Sequence, residues 1–119
     1  MDLSKLNYAD NLIILGNGHK VNFDFGKIID INSPVTFVNL TFSNYGHRIF
    51  NIAKNCIFAS CNFASNRGDY LFEINRGSCT LINCSLHDNN GVNLIYNDLG
   101  ILSLNNCSVL AIIIVVNMV

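Results

Sequence analysis

Four residues carry the side chains best suited to chemistry in this chain: Asp30, Asn51, Glu73 and Tyr96. They lie 21, 22 and 23 residues apart, and Asp30, Asn51 and Glu73 each sit between two apolar residues. If the chain coils with that period, two carboxylates, an amide and a phenol line up as one column. Such a column presents donors and acceptors to a polyhydroxylated ligand. A carboxylate pair is also the minimum machinery for glycosidic cleavage. Lys54 and Arg76 each follow a column residue by three and add positive charge at the adjoining corner. With coils about 4.8 Å apart, Asp30 and Glu73 stand two coils, or about 9.6 Å, from each other. That is slightly beyond the range of inverting enzymes. The column is therefore expected to bind a ligand and to hold no catalytic residue. A solvated polar sheet face accounts for the same residues without chemistry.

Five cysteines are the next candidates: Cys56, Cys61, Cys79, Cys84 and Cys107. Zinc sites draw on closely paired ligands such as C-x-x-C, and that spacing does not occur. Neither metal nor cofactor is expected. The number is odd, and the cysteines take apolar positions of a repeat, so they are expected to be free thiols filling the core. Cys61 and Cys84 fall in one interior column within disulfide reach, although stacked strands seldom give the Cβ orientation a bridge needs. Three N-x-[ST] sequons begin at Asn39, Asn83 and Asn106. Each coincides with a repeat corner, where the amide is expected to stack on its neighbours rather than carry a glycan. His19, His47 and His87 sit at unrelated phases of the repeat, with no shared column that could make a metal or proton-transfer site. Phosphate loops of the G-x-x-x-x-G-K-[ST] kind, G-x-G-x-x-G and G-x-S-x-G are all missing from the sequence.

The elements that must position these residues follow from self-similarity. V-T-F-V-N-L-T-F begins at residue 35, C-I-F-A-S-C-N-F at 56, C-T-L-I-N-C-S-L at 79 and L-S-L-N-N-C-S-V at 102, giving spacings of 21, 23 and 23. A period in the twenties marks a solenoid. Offsets 0, 2, 5 and 7 are apolar in all four copies. Steps of two are the strand alternation. The step of three demands a one-residue corner at offset 4, which holds Asn39, Ser60, Asn83 and Asn106. Asparagine tolerates a left-handed backbone, and stacked corner amides would form a ladder. Turns are expected around Gly46, Gly68 and Gly91. A third strand then supplies the inward pairs Ile29 and Ile31, Phe50 and Ile52, and Phe72 and Ile74, weakening at Ile95 and Asn97. A leucine-rich repeat has a similar period, but its asparagine follows the second leucine by three, whereas Asn83 follows Leu81 by two.

The expected fold is thus all-β: a right-handed parallel β-helix (solenoid) of about five coils of 21–23 residues. Its boundaries are an opening coil over 11–34, then 35–55, 56–78, 79–101 and an incomplete last coil over 102–119. The formal net charge is −1, and the seven Lys and Arg form no basic cluster, which argues against a nucleic-acid binder. The apolar tail from Val109 to Val119 is shorter than the roughly 20 residues that span a bilayer, so no direct membrane insertion is expected.

The run G-N-G-H-K-V-N-F-D at 16–24, followed by repeated N-x-[ST]-[FLV], resembles archaeal adhesin-like surface proteins. More distantly it is similar to the N-x-T-F repeats of polymorphic outer-membrane proteins. The resemblance covers about residues 11–110. It implies a right-handed parallel β-helix on a large secreted or surface-attached protein. Such families usually carry more coils and an export signal. The chain is therefore expected to be a fragment or module of a longer parent chain, placed outside the cell or at its surface. The function expected is a non-enzymatic scaffold for weak contacts with glycans or other cell-surface proteins. The alternative is a truncated carbohydrate-active β-helix enzyme: a polysaccharide lyase, glycoside hydrolase or epimerase.

Overall fold

The computed structural model describes residues 11–22, 28–43, 49–68, 70–91, 95–110 and 114–117. Among them every regular element is a β-strand. The first rung holds β1 (Leu12–Asn22) and β2 (Ile29–Ile31), and the second β3 (Val35–Ser43) and β4 (Phe50–Ile52). The third holds β5 (Asn55–Ala59), β6 (Asn62–Ala64), β7 (Arg67–Gly68) and β8 (Phe72–Asn75). The fourth repeats that order as β9 (Ser78–Ile82), β10 (Ser85–His87), β11 (Asn90–Gly91) and β12 (Ile95–Asp98). The fifth closes with β13 (Ile101–Asn105), β14 (Ser108–Val109) and β15 (Ile114–Asn117).

All pairings are parallel and each joins one rung to the next. One sheet runs β13-β9-β5-β3-β6-β10-β14 with β1 on β3, and a second runs β15-β12-β8-β4-β2. The register Leu12, Val35, Cys56, Cys79, Leu102 continues through five rungs, with one shift on the first rung between Leu15 and His19. The chain is therefore a parallel β-solenoid. Its three enclosed turns, 35–54, 55–77 and 78–100, lie between two end rungs, so the full turns number about three rather than the five coils expected.

The corners explain why the chain turns where it does. Asn39, Ser60, Asn83 and Asn106 all have left-handed φ, between 52° and 57°. A second corner follows five residues later at Ser65 (60°) and Asp88 (55°), and a third at Arg76 (60°) and Leu99 (57°). A single left-handed residue redirects a strand without a loop, at a cost of roughly 1–2 kcal/mol for an L-residue. Rung-to-rung bonds offset that cost. The amide of Ser60 donates to the Ile82 carbonyl at 2.8 Å, Asn83 to Asn105 at 2.9 Å, Ser65 to Asp88 at 3.1 Å and Arg76 to Asp98 at 2.9 Å. Just past the third corner, a Cβ on Gly77 would stand 2.7 Å from the Lys54 carbonyl oxygen, so only glycine lets the turns close there.

The core is a set of side-chain columns. Phe37 stacks on Phe58 with ring centroids 5.1 Å apart, Phe42 on Phe63 at 5.2 Å and Phe50 on Phe72 at 5.8 Å. These spacings follow the strand repeat of about 4.8 Å. All six rings are fully buried, and burial of each contributes roughly 1.5–3 kcal/mol. The twelve inward positions of the three central repeats are buried, whereas Leu102, Cys107 and Val109 on the last rung are only partly covered and Leu104 is exposed.

Two expectations are corrected. Gly68 and Gly91 are not turn residues but lie in short paired strands, with Gly68 opposite Gly91; Gly46 lies outside the described residues. The corner asparagines form no amide ladder: Asn39, Asn83 and Asn106 are exposed, their left-handed backbone carrying the side chain to the outside of the bend. The ladder stands one corner later and inside. Asn66 and Asn89 are buried, and Asn66 Nδ2 donates to Asn89 Oδ1 at 3.0 Å. Each amide also donates to a carbonyl of the preceding turn, Asn66 to Phe42 at 3.2 Å and Asn89 to Phe63 at 2.9 Å. Both asparagines follow a left-handed residue and turn inward, where a polar group must be bonded.

Candidate functional site

The second sheet positions the polar column. Inward Ile29 and Ile31, Phe50 and Ile52, and Phe72 and Ile74 are buried, which forces the residue between each pair onto the outer face. Asp30 pairs with Asn51, Asn51 with Glu73, and Glu73 with Tyr96. The four residues are thus brought into one in-register row, each half-buried. Asn51 Nδ2 donates to Asp30 Oδ1 at 3.1 Å, which fixes the amide with its donor side toward the first rung. Its Oδ1 is enclosed without a hydrogen-bond partner among the described residues.

Sequence reasoning missed one neighbour. The half-buried ring of Tyr70 lies 5.3 Å from that of Tyr96, tilted by 57°, so the column ends in a pair of aromatic rings. Tyr70 precedes β8 and belongs to no alternating run, so its position was not readable from periodicity. Lys54 and Arg76 occupy the equivalent third-corner positions of successive turns and are exposed.

The cysteines are free thiols, buried except for the half-buried Cys107. Three of them do more than fill space. Cys61 Sγ lies 3.6 Å from the Phe37 carbonyl and 3.5 Å from that of Ala59. Cys84 repeats this at Phe58 (3.2 Å) and Ile82 (3.4 Å), and Cys107 at Leu81 (3.3 Å) and Asn105 (3.4 Å). Each thiol follows a left-handed corner and supplies a donor to carbonyls there, one in its own turn and one in the turn before. A methyl of the same size could not do this. The signal in the sequence was cysteine at offset 5 in three consecutive copies.

Burial pushes the Cys56 and Cys79 thiols well above their ordinary value, each raised further by a neighbouring cysteine. The neighbouring Cys84 thiol holds Cys61 below its ordinary value against the effect of burial. The Cys61 thiol, with burial, drives Cys84 upward.

The histidines stay apart. His19 Nδ1 lies 2.7 Å from the Gly16 carbonyl, closing the first-rung corner, and exposed-side His87 contacts Asp88 at 2.8 Å. His47 lies outside the described residues. A concavity of about 340 Å³ beside the first corner is lined by Ile14, Leu15, Gly16, His19, Lys20, Val21 and Leu40. Among the described residues no three His, Cys, Asp or Glu side chains come together as metal ligands, and no helix is long and apolar enough to cross a membrane. The chain matches no protein-family model, no curated protein and no solved structure.

Proposed function

We propose that this β-solenoid is a non-enzymatic module of an adhesin-like surface protein, holding a stiff polar face toward glycans or neighbouring cell-surface proteins. The observation that carries the reading is the in-register row of Asp30, Asn51, Glu73 and Tyr96, extended by the Tyr70 ring. Carboxylates and an amide at one-rung intervals suit the hydroxyls of a saccharide chain, and tyrosine rings suit the apolar faces of its sugars. Weak contacts repeated along a rigid scaffold gain strength by multivalency. A longer parent chain outside the cell, or anchored at its surface, would supply further rungs and raise that valency.

The test is retention of the chain on immobilised glycans, comparing the wild type with an Asp30→Ala, Glu73→Ala double variant. The expected result is wild-type retention weakened about tenfold in the variant, equivalent to about 1.4 kcal/mol, with an unchanged circular dichroism spectrum. Equal retention would remove the column from the reading, and failure of the wild type to bind any glycan would overturn it.

A further inference from the structure

We infer that this chain assembles head to tail with copies of itself, the last rung of one copy docking on the first rung of the next and continuing its parallel sheets. Apolar exposure is confined to the two ends. The large apolar side chains exposed among the described residues are Ile13 and Leu15 on the first rung, Leu99 at the corner entering the fifth, and Ile101, Leu104 and Leu110 on the fifth. Among the described residues β1 and β2 pair only with the second rung, and β13, β14 and β15 only with the fourth. The inward column Ile14, Phe37, Phe58, Leu81, Leu104 is fully buried at its three middle members, half-buried at Ile14 and exposed at Leu104. A solenoid end with an open apolar core and unpaired strands is a template for a further rung.

The two ends differ, and they complement each other. On the first rung three residues, 16–18, separate Leu15 from His19, where Asn39 alone separates their partners Val38 and Leu40. The concavity of about 340 Å³ lies at this widened corner, with Ile14, Val21 and Leu40 among its walls. The last rung turns on the single residue Asn106, with the exposed Leu104 before it and the half-buried Cys107 after it. Continuing the register sets Leu104 on Ile14, Cys107 on His19 and Val109 on Val21 of the next copy, so the uncovered apolar groups of one end meet the hollow of the other.

Backbone groups follow the same continuation. Within the chain the Ser60 amide donates forward to the Ile82 carbonyl and the Asn83 amide to Asn105. Asn106 is next in that series, and the equivalent carbonyl is that of Leu15 in the following copy. The Ser85 and Ser108 amides donate back to the Cys61 and Cys84 carbonyls. Lys20 holds their position on the first rung, which sets its amide against the Cys107 carbonyl of the preceding copy. Docking two last rungs together would instead turn the strands antiparallel and leave the hollow, Ile13 and Leu15 uncovered. A contact between two different surfaces does not close on itself, so it repeats along the solenoid axis.

The experiment is sedimentation velocity on the full chain across a concentration series, with a blocked variant for each end. Leu104→Lys places a charge on the last rung, and Lys20→Pro removes the first-rung amide, a change that an edge strand tolerates. The expected wild type grows with concentration beyond a dimer. Each variant alone should be monomeric, with a wild-type circular dichroism spectrum, and an equal mixture of the two should give a dimer and nothing larger. A wild type that stays monomeric would overturn the inference, as would a dimer of Lys20→Pro alone, which would mean that last rungs pair with each other. Growth of both variants alone would also overturn it, since the association would then not run through these ends. Should either variant fail to fold, amide hydrogen exchange of the wild type decides: exchange at Lys20 and Asn106 should slow as concentration rises, and unchanged exchange there would contradict the head-to-tail contact.

Discussion

Ser60 is the odd member of the first corner: its φ is 55°, while its equivalents at 57°, 52° and 52° are Asn39, Asn83 and Asn106. All four side chains are exposed, so the residue type there is set by backbone preference rather than packing. Asparagine enters the left-handed region more readily than serine, and a β-branched residue is a genuine outlier there. Ser60→Asn should therefore stabilise the chain by about 0.5 kcal/mol, and Asn83→Val should destabilise it by about 1–2 kcal/mol. Urea unfolding checks both; equal midpoints for the two variants would mean that the corners carry no conformational preference. At this scale the sequence was partly readable. The asparagines announced the bend through their spacing, but not the outward direction of their amides. The cysteines announced burial, but not the carbonyls that their thiols bond.

At the scale of an element, the unit is one turn with four short strands and three left-handed corners. The apolar offsets 0, 2, 5 and 7 were readable because every copy repeats them, and all twelve in the three central copies are buried. The buried asparagine pair was not, because it lies at offset 10, beyond the eight-residue match, and only Asn66 and Asn89 carry it. Asn89 makes three bonds: from its Nδ2 to Phe63 O, and at its Oδ1 from the Asn66 amide at 3.2 Å and from Asn66 Nδ2. Losing three buried hydrogen bonds at about 1 kcal/mol each should make Asn89→Ala about 3 kcal/mol less stable. Replacing the exposed Asn62, whose Nδ2 meets Thr41 Oγ1 at 3.4 Å, should cost well under 1 kcal/mol by alanine. Comparable losses at the two sites would show that the inner ladder does not hold the second corner together.

For the whole molecule, the stack of rungs decides which residues meet. A residue at position i touches its equivalents one turn away, so spacing in the sequence converts directly into neighbours in space. That is why spacing alone assigns Asp30, Asn51, Glu73 and Tyr96 to one row. Tyr70 escaped the same argument because it follows no repeat phase. Function is less readable for a physical reason: the outer face is free of packing constraints, and the same polar row serves a solvated sheet or a ligand. The polar row, the asparagine pair and the cysteine columns all depend on the stacking of turns, and amide hydrogen exchange tests it most directly. The corner amides of Ser60, Ser65, Arg76 and Asn83 donate to carbonyls 22 or 23 residues away, whereas amides at the bends of isolated hairpins face water. Exchange at these four amides slowed by at least about a hundredfold, as for amides that need sub-global opening, is the predicted result. Exchange at the rate of an unfolded chain, with protection confined to the strands, would contradict the solenoid and everything built on its register.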